Sequence, residues 1–245
     1  MKSSFTKLLS TLCLLIIIPG NVWARDYVIE VIIFTHANGK FQISPHLPPQ
    51  TRTPVPDDGV NLFVQKRIET DSPAADQRPA VWQLIEPDKY FMHGVAKRLR
   101  GSSNYTVLHH FSWQQPAVEK SDSLALKIEA GRDYTQSFPR HEVQIQEFGD
   151  TIQTPSVNDQ QVRELEGTLK VAVSRYLHVY TDLVYRLPRK VSAQDEQRST
   201  SGDTVLVDYP IRSHRRMRSK ELHYIDHPLV GILVEARPIE NTTPE

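Results

Sequence analysis

The residues of this sequence that most clearly suggest a binding site are basic, mainly arginine, and they are concentrated near the C-terminus. Six basic side chains fall within nine residues: Arg212, His214, Arg215, Arg216, Arg218 and Lys220. The chain as a whole is balanced, with 29 Lys and Arg against 29 Asp and Glu. Guanidinium groups form paired hydrogen bonds with carboxylates and phosphates. The tract therefore indicates a site for an anionic ligand, or else a solvated turn that protects a strand edge from aggregation.

Aromatic side chains provide the second half of a sugar-binding site. Flat rings stack on sugars, while hydroxyl and charged groups bind the polar rim of the ligand. Six rings lie on or beside predicted strands: Tyr105, Trp113, Tyr176, Tyr180, Tyr185 and Tyr224. For each ring taken singly, packing in the core or at a sheet edge is the alternative explanation.

Seven histidines between residues 109 and 227 raise the question of a metal site. His223 and His227 are four residues apart, and such positions share a face of a strand. The zinc-protease helix needs Glu directly after the first histidine, and Tyr224 occupies that position. We therefore expect solvated or core-edge histidines, with no bound metal and no other cofactor.

Residues for covalent or acid-base catalysis are equally hard to find. Cys13 is the only cysteine, and no serine lies in a Gly-x-Ser-x-Gly turn. Glycan cleavage needs two carboxyl groups about 5 to 10 Å apart, and no spacing marks such a pair. The candidates are Glu164, Glu166, Asp182, Glu221 and Asp226. The sequence favours a protein that is not an enzyme.

The first 24 residues have the order of a secretory signal peptide. Lys2 and Lys7 precede an eleven-residue apolar stretch, 8–18, and a short segment after it ends at Ala24. Spanning a bilayer takes roughly 20 apolar residues, so a cleaved signal is favoured over a membrane anchor. Cleavage near Ala24 leaves 245 − 24 = 221 residues, without a cysteine and without a further apolar span.

The predicted mature chain must be held together by a hydrophobic core rather than by disulfides. Without Lys2 and Lys7 it has 27 basic and 29 acidic side chains, a formal charge of −2. This balance predicts no general affinity for polyanions such as nucleic acid.

The pattern along the chain predicts an α+β fold, with a predominantly antiparallel curved sheet, one main helix and long polar loops. Residues 27–34 are a first buried strand, and 87–100 are a helix that Gly101 ends in the left-handed conformation. Residues 105–113 alternate, with Tyr105, Val107, His109, Phe111 and Trp113 on one face. Residues 41–80 hold seven of the seventeen prolines and predict a surface excursion with a short edge strand at 60–68.

Residues 165–187 alternate for 23 positions, about 75 Å if extended, which is too long for one straight strand. We expect a bend or turn at Thr181-Asp182 or Ser174-Arg175 that preserves the phase. A polar loop at 188–203 precedes strands at 205–211, 221–225 and 229–235, with a basic turn at 214–220. Strands are also expected at 124–128 and 142–148.

These elements suit a single domain over 25–240, followed by a tail at 241–245. Two packed subdomains, divided near 116–160, are the alternative arrangement.

Four strings resemble the CsiV family of periplasmic peptidoglycan-binding proteins of Gammaproteobacteria. They are YVIEVIIF at 27–34, YTVLHHFSWQ at 105–114, SRYLHV at 174–179 and RRMRSKELHYIDHPLVG at 215–231. The resemblance implies a non-enzymatic protein of the periplasm that binds peptidoglycan and supports cell wall assembly, cell shape and envelope integrity. It also implies a link to outer-membrane lipoprotein activators of penicillin-binding synthases.

Motif position and residue chemistry together suggest which residues border the ligand. The expected set is Trp113, Arg175, Tyr176, His178, Arg215, Arg216, Arg218, Glu221, His223, Tyr224, Asp226 and His227. Two alternatives remain at this point. One is an adaptor that binds a lipoprotein or synthase without touching the glycan, and the other is a wall-lytic or metal-dependent hydrolase.

Overall fold

A computed structural model describes residues 26–37, 59–63, 82–138, 161–190 and 204–240 of this chain. Within these ranges the strands are β1 (Tyr27–His36), β2 (Gln83–Leu84), β3 (Tyr105–Gln115), β4 (Ala125–Asp133), β5 (Arg163–Val173), β6 (Leu177–Lys190), β7 (Thr204–Met217), β8 (His223–Asp226) and β9 (Val230–Pro238). A short 3-10 helix (Pro87–Lys89) and the helix α1 (His93–Arg100) lie between β2 and β3.

The strands form two antiparallel sheets. The five-stranded sheet has the order β2-β3-β1-β9-β8, and the four-stranded sheet has the order β4-β5-β6-β7. One continuous apolar core lies between them, with Ile29 and Trp113 from the first sheet and Leu165 and Leu183 from the second. Helix α1 covers the other face of the five-stranded sheet, where Ile32, Phe34, Met92 and Ala96 form a second apolar cluster, which we call the helix-side cluster. The predicted α+β class with antiparallel sheets is therefore confirmed.

Helix α1 is shorter than the sequence predicted because a buried carboxylate fixes its beginning. Glu30 is fully buried in β1, and its side chain accepts the backbone N–H groups of Phe91 at 2.6 Å and Met92 at 3.0 Å. These N–H groups precede the first turn, where a helix leaves its donors unsatisfied. The predicted left-handed Gly101 is wrong, since its φ is −79° and its N–H bonds to the carbonyl of Lys97.

Strand β3 confirms the prediction for 105–113, but its faces are not arranged as predicted. Ile33 pairs with His109 and Phe34 with Val107, so the register shifts by one residue at a bulge. A bulge adds one residue on one strand and reverses the side-chain phase beyond it. Val107 accordingly packs with the helix-side cluster, while Phe111 and Trp113 enter the core between the sheets.

The long alternating segment 165–187 is a hairpin formed by β5 and β6. Its turn lies between Val173 and Leu177, which confirms the expected turn at Ser174-Arg175. The other expected position, Thr181-Asp182, is wrong because it lies within β6. Val171 pairs with Val179 and Leu169 with Thr181. Odd-numbered positions therefore stay on the core side in both strands, and the phase survives the turn.

The predicted basic turn at 214–220 is wrong in its first half. Strand β7 continues to Met217, so most of the basic tract is strand and only residues 218–222 connect β7 to β8. Strand β6 likewise continues to Lys190, beyond the expected start of the loop at 188. The expected strand at 142–148, the signal peptide and the tail lie outside the described residues. Among the residues that are described, no helix is long and apolar enough to cross a membrane.

Candidate functional site

The outer face of the four-stranded sheet carries a grid of side chains in three rows, each row crossing β5, β6 and β7. Because odd positions of the β5–β6 hairpin face the core, the even positions face outward. The rows are Ala172, His178 and Arg216; Lys170, Tyr180 and His214; and Thr168, Asp182 and Arg212. Tyr180 lies at the centre, and we call this surface the Tyr180 face.

Planar rings form the middle of the Tyr180 face. The rings of Tyr180 and His214 are stacked, with centroids 4.4 Å apart and planes 5° from parallel. Nδ1 of His178 lies 2.9 Å from Nε2 of His214, so one imidazole donates a hydrogen bond to the other. Partial burial, the neighbouring His214 and the charge of Arg216 lower the pKa of His178. The neutral form of His178 is thereby favoured beside the stack.

Cations surround this stack. The ammonium group of Lys120 lies 4.5 Å from the centroid of the Tyr180 ring, and the Arg216 guanidinium lies 4.6 Å from that of Tyr176. Arg212 forms a 2.9 Å ion pair with Asp182. A groove of about 540 Å³ follows the grid past Lys120 and Lys170. The surface thus combines aromatic rings with positive charge.

Four residues of the predicted ligand set lie on or beside the Tyr180 face. His178 and Arg216 belong to the grid itself, and Arg175 and Tyr176 form the β5–β6 turn next to its first row. Arg215 pairs with Val179, which is buried in the core. Arg215 therefore projects to the opposite side of β7 from Arg216, and only one of the two neighbouring arginines belongs to the face.

Trp113 does not reach the surface. Its side chain is fully buried between the sheets, and its indole N–H donates to the side-chain oxygen of Gln115 at 2.9 Å. A ring without exposure cannot stack on a sugar, so we leave Trp113 out of the candidate site.

Three more predicted residues lie in the connection between β7 and β8 or at the first position of β8: Arg218, Glu221 and His223. Arg218 and Glu221 approach to 3.7 Å, and the backbone N–H of Arg218 donates to Nε2 of His223 at 3.1 Å. These contacts are internal to the turn, which links the two sheets.

The last three predicted residues lie on the other side of the molecule. Tyr224 pairs with Leu233, which packs on the helix-side cluster, and its hydroxyl donates to Asp226 at 2.7 Å. His227 lies in the β8–β9 turn, where its N–H donates to the carbonyl of Val230. Packed sheets are about 10 Å apart, so one surface cannot include both this region and the Tyr180 face.

Sequence reasoning missed several residues that complete the face. Lys120 and Lys170 were not singled out, while Tyr180, His214, Arg212 and Asp182 were named without being placed together. One signal was present, because a turn centred on Arg175 pairs Lys170 with Tyr180 and Ala172 with His178. The partner strand β7 carries no comparable local signal.

The candidate catalytic carboxylates have separate structural partners. Glu164 accepts from Tyr185, Glu166 from Arg186, Asp182 from Arg212, and Asp226 from Tyr224, while Glu221 lies beside Arg218. In the described part of the chain, no three His, Cys, Asp or Glu side chains are placed to hold a metal ion.

Comparison with known protein families decides the affiliation. Residues 4–239 match the family described as "Peptidoglycan-binding protein, CsiV". The chain belongs to the CsiV family. This match covers nearly the whole sequence and confirms the resemblance in the four strings. No curated protein and no solved structure matches the chain significantly. The family description assigns peptidoglycan binding to CsiV proteins, and the Tyr180 face is the candidate surface for that binding.

Proposed function

We propose that this CsiV-family chain binds peptidoglycan in the periplasm and that the Tyr180 face is the binding surface. The observation that carries the proposal is the stacked Tyr180–His214 pair with Lys120 beside the ring. Aromatic faces suit sugar rings, and cations suit the carboxylates that peptidoglycan carries on its stem peptides.

The size and polarity of the face support this assignment. Three strands about 4.8 Å apart and three rows about 6.7 Å apart give a grid of roughly 10 by 13 Å. A surface of this extent accommodates a sugar and the beginning of its stem. His178 and His214 provide hydrogen-bonding groups, while Lys170 and Arg216 provide charge at the rim.

We further propose that binding, not cleavage, is the contribution of the chain to the wall. The non-enzymatic role would support wall assembly and envelope integrity, in connection with lipoprotein-activated penicillin-binding synthases. The separation of the two surfaces supports such a connection, since exposed Tyr105 and Tyr224 lie away from the Tyr180 face. A partner held there would leave the Tyr180 face accessible to the wall.

Sedimentation with purified sacculi tests the binding surface. We expect the mature chain to sediment, Tyr180→Ala/His214→Ala to remain mostly in the supernatant, and Tyr224→Ala to behave as wild type. Tyr224 is the matched control because it is an exposed tyrosine on the opposite side. Loss of sedimentation in Tyr224→Ala alone, with the other variant unchanged, would reassign the site.

Two further controls separate the alternative functions. An adaptor would sediment only after a lipoprotein or synthase is added, and a hydrolase would release soluble muropeptides. Cell fractionation with N-terminal sequencing tests the periplasmic location, with Arg25 or Asp26 as the expected first residue.

A further inference from the structure

We infer that the Tyr180 face recognises the free carboxylates of stem peptides, and that the sugar contributes the weaker contact. The inference rests on the proposed function and names the feature of the wall that is bound. Its basis is the charge of the face, which differs from that of the chain as a whole.

The positive charge on the face exceeds its negative charge. Asp182 is the carboxylate of the grid, and it is paired with Arg212. Among the described residues, Lys120, Lys170 and Arg216 have no carboxylate within ion-pair distance. The whole chain, in contrast, has equal numbers of basic and acidic side chains. Lys120 and Lys170 line the groove, and Arg216 lies one row away on β7, so together they form a local positive field that favours an anionic ligand.

Neighbouring acidic side chains do not neutralise these cations. The next row of the same face contains Glu166, whose carboxylate bonds Arg186 at 2.6 Å. Glu129, on β4, lies 3.3 Å from Lys127. Both carboxylates are engaged with other cations, and neither forms an ion pair with Lys120, Lys170 or Arg216 among the described residues.

The positions of the cations suit a ligand with more than one carboxylate. Lys170 is beside Tyr180 in the same row, Arg216 is one row away on the next strand, and Lys120 lies at the ring. Direct cross-strand neighbours are about 5 Å apart and diagonal ones about 7 to 8 Å. An uncharged sugar offers these cations hydrogen bonds but no counter-charge, whereas a stem peptide carries several carboxylates along its length.

Stripping the stems from the wall provides the test. Binding of the purified mature chain is measured on intact sacculi and on glycan strands from which an amidase has removed the peptides. The lactyl carboxylates that this hydrolysis frees on the sugars are then amidated, so that the stripped glycan is uncharged. We expect at least tenfold weaker binding to the stripped glycan. Equal binding to both would overturn the inference and leave the proposed function intact. Binding to neither would overturn the proposed function itself.

Charge variants locate the effect. Lys120→Gln and Lys170→Gln are each expected to weaken binding to intact sacculi about tenfold, with little change on stripped glycan. The matched control is Lys127→Gln, because that lysine lies on the same sheet but is paired with Glu129. Thermal unfolding verifies that each variant is folded. Unchanged binding by both folded variants contradicts the inference.

Two soluble probes distinguish carboxylate recognition from general attraction to anions. Muropeptides with free stem carboxylates should compete with sacculi, and the same muropeptides with amidated carboxylates should not. Vesicles containing anionic phospholipid should bind weakly. Equal competition by the amidated form, or vesicle binding as tight as sacculus binding, would contradict recognition of stem carboxylates.

Discussion

Replacing Glu30 with alanine should destabilise the whole fold, because this residue joins helix α1 to the five-stranded sheet. Its carboxylate is fully buried and accepts the N–H groups of Phe91 and Met92. It also lies 2.6 Å from Nε2 of His110. The substitution leaves two backbone donors and one imidazole without their partner.

The expected cost follows from these contacts. Hydrogen bonds to a charged group contribute about 1.5 to 3 kcal/mol each and are not additive. Removing one partner of a buried pair costs about 3 to 5 kcal/mol, because the other partner stays buried. We therefore expect Glu30→Ala to lower the free energy of unfolding by about 4 kcal/mol. With an m-value of about 2 kcal/mol/M, the urea midpoint falls by roughly 2 M.

Urea unfolding followed by circular dichroism measures this change, with Glu235→Ala as the matched control. Glu235 faces Glu30 on the neighbouring strand, but it pairs with Arg237, whose side chain is 47% exposed. Such a pair is worth up to about 1 kcal/mol. If both variants lost less than about 1 kcal/mol, the role of Glu30 as the anchor of α1 would be refuted.

Four other substitutions test the packing and the buried polar groups. Gly231→Ala should cost about 1 to 3 kcal/mol, because its new Cβ would overlap the buried Phe34 ring. Gly94→Ala on α1 should be neutral or stabilising, because its new Cβ would meet only the end of the Arg98 side chain at 3.9 Å. Burial and neighbouring His110 lower the pKa of His109 to about 4, so stability should be full above pH 6.5 and fall by about 3 kcal/mol as pH approaches 4. His109→Phe should remove most of that loss. Arg186→Ala should cost about 3 to 5 kcal/mol, because it leaves the buried carboxylates of Glu166 and Asp208 without their shared guanidinium. Urea unfolding measures each change. Wild-type stability in Gly231→Ala or Arg186→Ala, or an undiminished loss towards pH 4 in His109→Phe, would contradict the assigned contact.

Local patterns predicted the strands well where one face is buried throughout. The alternation in 165–187 indicated both strands and a turn that keeps the phase, because the apolar residues of the hairpin face one core. In β3 the same reasoning placed Tyr105 and Trp113 on one face. The bulge opposite Ile33 and Phe34 reverses the phase between them, and a bulge depends on the partner strand.

The candidate site was predictable only in part, because its rows join residues that are distant in sequence. Tyr176 and His178 could be proposed from their position beside arginines. Pairing of Tyr180 with His214 depends on the register between β6 and β7, and nothing in the local sequence pattern fixes that register. Tyr224 was grouped with the arginines by sequence proximity, but the chain crosses from one sheet to the other between them.

Chemical-shift mapping by NMR tests the central claim most directly. Isotope-labelled mature protein is titrated with a soluble muropeptide that carries its stem, and the backbone amides are followed. The Tyr180 face predicts the largest changes at residues 168–172, 178–182 and 212–216, with residues 224–227 unaffected. Changes confined to 224–227, with the grid unaffected, would contradict the assignment of peptidoglycan binding to the Tyr180 face.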